Sequence, residues 1–143
     1  MPSITLLRTH GAPFALTAVI VALALTTAYI HLMLGGLLFT LNATGFAVLA
    51  TALAAGAIPH PLIRRFSWLP RIGLAAFTAV TIGAYLLIGT YFSLGWTAKT
   101  VEVAILVLLA VDLLRAYGSP AELVRAAVAA FHRGARRPPM RAA

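Results

Sequence analysis

The chain contains no cysteine, and it has three acidic residues among its 143. The missing thiols exclude disulfides, thiolate metal ligands and a cysteine nucleophile. Three dispersed carboxylates do not form the cluster of His and acidic ligands that a zinc or di-metal site requires, so we expect no metal and no cofactor. No serine lies in a His/Asp arrangement, and no Gly-rich phosphate loop follows a strand. The sequence therefore predicts a protein that is not an enzyme.

Charge is scarce as well as unbalanced. Charged residues make up 10% of the chain, against about 25% in soluble domains, and the mean hydropathy is +0.97. Uncharged stretches of about 20 residues match the ~30 Å hydrocarbon core of a bilayer. The alternating ~10-residue segments that are typical of membrane β-barrels do not occur. The composition therefore predicts an all-α integral membrane protein.

The apolar runs predict an antiparallel four-helix transmembrane bundle. Gly35-Gly36 is the expected first turn, because glycine adopts backbone angles that other residues avoid; a turn near Thr40–Asn42 is the alternative. The Ile58-Pro59-His60-Pro61 segment is expected to end the second helix. The transmembrane domain covers 1–117 and a basic tail covers 118–143. The helices are predicted at about 13–34, 37–57, 73–92 and 98–116.

The basic residues are distributed unevenly around these helices. Ten of the eleven Lys and Arg residues lie in the N-terminal segment, in the connector after the second helix or in the tail from Arg115 onward. Lys99 alone belongs to the two remaining loops. The positive-inside rule then predicts a multi-pass protein of the cell (inner) membrane with both termini in the cytoplasm.

The tail begins with Ser119-Pro120-Ala121-Glu122, which is typical of a helix-capping box. Apolar residues then recur at helical spacing, with Arg125 and Arg133 on the opposite face. This pattern predicts a C-terminal cytoplasmic amphipathic helix on the anionic inner leaflet. A solvated, partly disordered tail is the alternative. No recognition motif accompanies the charge, so nucleic-acid binding is not expected. The basic residues expected to face lipid are Arg64, Arg65, Arg133, Arg136 and Arg137.

A few polar side chains interrupt the apolar runs at similar depth. At 1.5 Å per residue they are expected ~6–9 Å below the outer surface. The predicted outer polar cluster consists of His31, Asn42, Lys99 and Glu102.

This cluster has two interpretations. It lines an outward-facing pocket for a small polar ligand, a proton or an ion, or it clamps the helices together, with Lys99 paired to Glu102 at i,i+3. A carboxylate in hydrocarbon must face the bundle and find a partner in either case. At the inner end, Asp112 and Arg115 are expected to form an interfacial ion pair.

The segments HLMLG, LNATGF and LGWTAKTVEVAILVLL resemble a group of small bacterial and archaeal four-helix membrane proteins of unknown function. The resemblance covers about 29–114 and implies the four-helix fold, while it leaves the function open. The residues that carry it are His31, Asn42, Gly45, Gly95, Lys99 and Glu102.

Two functions are compatible with these features. The first is a non-catalytic accessory or interaction subunit of a membrane assembly, because a chain of this size leaves its helix faces open to lipid, to other membrane subunits or to self-association. The alternative is an oligomeric transporter or channel for a small solute, a proton or an ion, with the outer polar cluster as its site.

Overall fold

The computed structural model describes residues 3–135, with side chains described over 14–132. This part of the chain is entirely helical, without strands. Arg136 and Arg137 lie outside the described residues, and Arg133 is described only by its place in the last helix. The helices are α1 (Ser3–Leu34), α2 (Leu37–Ala55), α3 (Pro61–Arg65), α4 (Trp68–Ile88), α5 (Ser93–Tyr117) and α6 (Pro120–Ala135).

Within the described residues, three helical segments are long and apolar enough to cross a membrane by length and composition. They are Phe14–Leu34 in α1, Leu37–Ala55 and Trp68–Ile88. At 1.5 Å per residue these segments measure about 28–32 Å, which matches the hydrocarbon core. The helix α5 has 25 residues and is not among the three; it carries Lys99, Glu102, Asp112 and Arg115.

The first turn lies at Gly35-Gly36, as predicted, and not near Thr40–Asn42. Both glycines have positive φ angles, +69° and +85°, a region in which a residue with a Cβ is strained. Thr40 is already inside α2, and its hydroxyl donates a hydrogen bond to the Gly36 carbonyl at 3.0 Å. The turn therefore depends on the two residues that can adopt it.

Several predicted helix ends are wrong. The first helix begins at Ser3 and not at 13, and the second ends at Ala55 and not at 57. The predicted third helix (73–92) is α4, which begins at Trp68 and ends at Ile88. The prediction assigns Trp68 and Arg71 to the connector, but α4 already includes them. Pro70 is tolerated there, because the N–H groups in the first turn of a helix have no intrahelical acceptor.

The predicted fourth helix is α5, and it begins at Ser93 and not at 98. Its first turn therefore contains Trp96, which lies outside the predicted range of this helix. The connector between α4 and α5 shortens to the residues 89–92. The short helix α3, which follows His60 and has Pro61 at its first position, was not predicted.

Four helices pack in a closed cycle. α1 contacts α2 and α5, and α4 contacts the same two helices, while α6 contacts α5. Small residues at these contacts allow close approach of the backbones, as is usual for helices in lipid. On α1, α2 and α5 the residues of the buried hydrophobic core are three or four positions apart, and α4 contributes Leu74. The core consists of Ile20, Ala24, Ala28, Ala43, Phe46, Ala50, Leu53, Leu74, Ile105 and Leu109.

The opposite helix faces are apolar and exposed. Leu25, Val48, Val80 and Val107 each expose about half of their surface or more. Contiguous apolar surface of this kind is rare on soluble monomers and marks contact with a membrane or with another protein. The hydrophobic surface therefore agrees with the three membrane-capable helices.

Gly45 of α2 lies directly against Phe77 of α4. A Cβ built on this residue would overlap the ring of Phe77. That ring in turn packs edge-on against Phe46, with ring centroids 5.0 Å apart. Glycine at 45 therefore lets an aromatic residue of α4 lie directly on the backbone of α2.

We predict that Gly45→Ala lowers the free energy of unfolding in detergent by about 1–3 kcal/mol, because the new methyl group overpacks the Phe77 ring. Gly83→Ala is the matched control, since a Cβ at this helical glycine meets no atom within 4 Å. The control is expected to be neutral or stabilising by up to about 1 kcal/mol, because alanine has the higher helix propensity. Equal effects of the two substitutions would show that the contact with Phe77 does not limit the packing.

Candidate functional site

Glu102 is fully buried on the inward face of α5 and accepts hydrogen bonds from three helices. Lys99 Nζ lies 2.6 Å from Glu102 Oε2 within α5. Thr81 of α4 donates its hydroxyl to the same oxygen at 2.9 Å, and Thr27 of α1 donates to Oε1 at 3.2 Å. We call Thr27, His31, Thr81, Lys99 and Glu102 the Glu102 cluster.

His31 completes the cluster from α1. Its Nδ1 lies 2.7 Å from the backbone carbonyl oxygen of Thr27, one helical turn earlier. Its Nε2 lies 3.7 Å from Glu102 Oε1. The ring packs against Phe39 and Phe46 of α2, with centroid distances of 6.1 and 5.7 Å. The imidazole is therefore fixed between a polar contact and two aromatic rings.

Lys99 is held on three sides. Besides the ion pair with Glu102, its Nζ lies 3.3 Å from the Thr81 carbonyl oxygen and 5.5 Å from the centroid of the Tyr85 ring. Only 7% of the residue is exposed. The predicted i,i+3 pair is thus present, and it is enclosed by α4 as well as by its own helix. Removing one member of such a buried pair leaves an uncompensated charge.

Tyr85 packs closely against the start of α5. A Cβ at Gly95 would lie 2.6 Å from the Tyr85 hydroxyl oxygen, so only glycine fits beside this ring. The hydroxyl is buried and has no hydrogen-bond partner within the described part of the chain. The Tyr85 ring therefore contacts both Lys99 of α5 and Tyr91 of the connector that joins α4 to α5.

A cavity of about 360 Å³ adjoins the cluster, and we call it the turn-end cavity. It extends from the Gly35-Gly36 turn region and the 89–92 connector to His31 and Lys99. Its walls are mainly apolar, which is typical of small-ligand pockets of ~300–1,000 Å³. The polar residues that line it are His31, Asn42, Thr81, Tyr85, Thr90 and Lys99.

Asn42 is the one member of the predicted outer polar cluster that lies outside the Glu102 cluster. It belongs to α2 and lines the turn-end cavity beside His31 and Lys99. The structure therefore brings His31, Lys99 and Glu102 into contact, whereas Asn42 is related to them by lining the same cavity.

A larger cavity, about 580 Å³, lies between α1 and α2 towards the opposite end of the helices. Arg71 is the charged residue among its lining side chains, and the guanidinium is already engaged by Asp112. The other lining residues are mainly aliphatic and small. This cavity lacks the convergent polar groups that mark a specific site.

At that same end, Asp112 pairs with Arg71 of α4 and not with Arg115, which corrects the predicted ion pair. Arg71 Nε lies 2.7 Å from Asp112 Oδ2, and Arg71 also donates to the Ser67 carbonyl. Asp112 is 4% exposed and faces α4, whereas Arg115 points outward and is exposed. The predicted pairing fails because the Asp112 carboxylate is turned towards Arg71 of α4, while Arg115, three residues further on, stays exposed.

Arg65, predicted to face lipid, instead binds α6. Its guanidinium donates from Nε to the carbonyl oxygen of Ala130 at 2.7 Å, and Nη2 contacts the same atom. Phe131 of α6 packs edge-on against Phe66 and Trp68. Arg64, by contrast, is exposed.

The start of α6 has the predicted cap, since the Glu122 N–H donates to the Ser119 hydroxyl at 3.2 Å.

Sequence reasoning missed Thr27, Thr81 and Arg71. Thr27 precedes His31 by four residues, so the two share a helix face, and this spacing was an available signal. Thr81 has no comparable signal, because its role depends on the rotation of α4 relative to α5.

Within the described residues, no group of three or more His, Asp or Glu side chains is arranged to hold a metal ion.

Comparisons with protein-family models, with curated proteins and with solved structures find no match to this chain. The function is therefore inferred from the cluster and its cavity alone.

We predict that Arg71→Gln lowers the free energy of unfolding in detergent by about 3 kcal/mol, because it leaves the buried Asp112 carboxylate without its charged partner. Arg115→Gln is the control, since that exposed side chain lies at the same end of α5. It is expected to change stability by less than about 0.5 kcal/mol. A larger loss from Arg115→Gln than from Arg71→Gln would restore the pair expected from the sequence.

Proposed function

We propose that this chain is a multi-pass protein of the cell membrane in which α1, α2, α4 and α5 span as an antiparallel bundle. The burial pattern of α5 supports the fourth span. Its Lys99, Glu102 and Asp112 side chains are buried and paired, and ionisable residues within membrane spans face the bundle interior in this way. Its outward face is apolar, with Val103 and Val107 exposed.

The proposed orientation has both termini in the cytoplasm. Arg64, Arg65 and Arg71 lie near the end of the helices opposite the Gly35-Gly36 turn, and positive residues favour the cytoplasmic side. The helix α6 adds Val124, Val128 and Phe131 as an exposed apolar stripe. We place this stripe on the anionic inner leaflet, with the basic residues of the tail facing the lipid head groups.

The function that the geometry supports best is transport of a small solute, a proton or an ion through the turn-end cavity, with the Glu102 cluster as the binding site. The observation that carries this proposal is that the cavity reaches two ionisable side chains, His31 and Lys99, of a cluster buried between helices. An ionisable group inside a membrane protein is costly and is by default a candidate functional site.

A purely structural clamp is the competing explanation. Bonds from Thr27, Thr81 and Lys99 to one carboxylate join three helices, and polar contacts of this kind stabilise membrane bundles by about 0.6–2 kcal/mol each. The clamp does not by itself account for a cavity that leads to the cluster. Function and stability measurements on the same variants separate the two.

We predict that Glu102→Gln and His31→Ala reduce flux in proteoliposomes to the level of empty vesicles while the variants remain folded, because His31 lines the cavity and Glu102 contacts its imidazole. Proton, sodium and potassium gradients serve as the probes. Thr44→Val is the control, since the exposed Thr44 hydroxyl bonds only to its own helix. Full flux in both cluster variants with reduced thermal stability would identify the cluster as a clamp.

The accessory-subunit function remains a prediction from the sequence. It is supported by the exposed apolar helix faces, which accept either lipid or other subunits. Purification from native membranes in mild detergent is expected to recover additional membrane subunits if this function holds. A homogeneous oligomer of this chain alone would contradict it and favour the transporter.

A further inference from the structure

The Glu102 cluster contains one contact between two titratable groups that lack a hydrogen bond to each other. His31 Nε2 and Glu102 Oε1 lie 3.7 Å apart, which exceeds the usual N–H···O distance of ~2.7–3.2 Å. Every other polar contact of the Glu102 carboxylate is within hydrogen-bonding distance.

The state of His31 follows from its other nitrogen. A backbone carbonyl oxygen can only accept a hydrogen bond, so Nδ1, at 2.7 Å from the Thr27 carbonyl, carries a proton. In the neutral imidazole, Nε2 then has a lone pair directed towards Glu102 Oε1. Two acceptors face each other, and neither supplies a hydrogen.

One added proton changes this contact. A protonated Nε2 would donate to Oε1 in a charge-assisted bond of ~2.7–2.9 Å, so the two atoms need to approach by only about 1 Å. The carboxylate oxygen can accept this bond in addition to the one from the Thr27 hydroxyl at 3.2 Å, because each carboxylate oxygen has two lone pairs. The cluster is therefore complete in every bond except the one that a proton would supply.

The polar and charged groups around His31 determine the electrostatic environment of a proton bound to its imidazole. Lys99 and Glu102 of α5 cancel each other, while α1 supplies Thr27, α4 supplies Thr81 and Tyr85, and α2 supplies Asn42 with two aromatic rings. Glu102 is the one carboxylate that faces His31 among the described residues. The imidazolium would also lie 5.7 Å from the Phe46 ring, within the ~6 Å range of cation–π attraction.

Access is provided by the turn-end cavity, which His31 and Lys99 both line. We propose that the ligand of this site is a proton, bound reversibly by His31 Nε2 and shared with Glu102 Oε1. This inference rests on the proposed function, because it assigns the ligand of the same site. The proton belongs to the coupled set of His31, Lys99 and Glu102, whose total charge rises by one when it binds.

Nitrogen-15 NMR of the full-length protein, labelled at histidine and held in lipid nanodiscs, tests the proposal. His31 is assigned as the signal lost in His31→Gln, which separates it from the other histidines. Over a range of decreasing pH, we expect Nε2 to change from unprotonated to protonated. Nδ1 is expected to stay protonated throughout, because the Thr27 carbonyl holds its hydrogen.

Glu102→Gln is expected to abolish this proton uptake at Nε2 over the same range, because the neutral amide cannot form the charge-assisted bond. Asp112→Asn is the control, since it removes a buried carboxylate at the other end of α5, and the His31 titration should stay as in the wild type. An Nε2 that remains unprotonated throughout, or a titration that Glu102→Gln leaves unchanged, would overturn the proposal.

The two proposals fail in different ways. Flux that depends on Glu102 without protonation of Nε2 would keep the transport site and overturn the proton as its ligand. Protonation of Nε2 that depends on Glu102, without flux of any probe ion, would support the proton site and overturn transport.

Discussion

A carboxylate removed from water must be compensated nearby, and the position of Glu102 imposes this requirement on three helices at once. Burying an unpaired charge costs many kcal/mol, so α1, α4 and α5 must each deliver a donor to within about 3 Å of one side chain. This requirement fixes the rotation of each helix about its own axis, because Thr27, Thr81 and Lys99 must all point towards the same carboxylate. The apolar core below the cluster can then pack with small residues, because the helix faces are already aligned.

The charges of α5 are arranged as two separate pairs with an apolar middle between them. Glu102 pairs with Lys99 near the turn end, and Asp112 pairs with Arg71 near the opposite end. Ile105 and Leu109 fill the interval and are fully buried. The Asp112–Arg71 pair joins α5 to α4 directly, and the Lys99–Glu102 pair joins it to α4 through Thr81. Hydrophobic packing alone would not specify these contacts, so the two helices have little freedom to slide past each other.

Much of this arrangement could be predicted from local signals in the sequence. The Gly35-Gly36 turn follows from backbone sterics, and the Lys99–Glu102 pair follows from i,i+3 spacing. The partner of Asp112 could not be predicted, because Arg71 is 41 residues away and its position depends on where α4 begins. Thr81 could not be identified from the sequence either. Several other threonines bond only to their own helix, and nothing local distinguishes Thr81 from them.

The buried Tyr85 hydroxyl bears on how the bundle admits water. An unsatisfied hydroxyl of this kind destabilises a structure by about 1–3 kcal/mol, and hydration removes that penalty. The hydroxyl lies against Gly95, at the boundary between α4 and α5 and beside the turn-end cavity. Hydration at this boundary is therefore less costly than hydration of the purely apolar core, and it would occur beside the ring that covers Lys99.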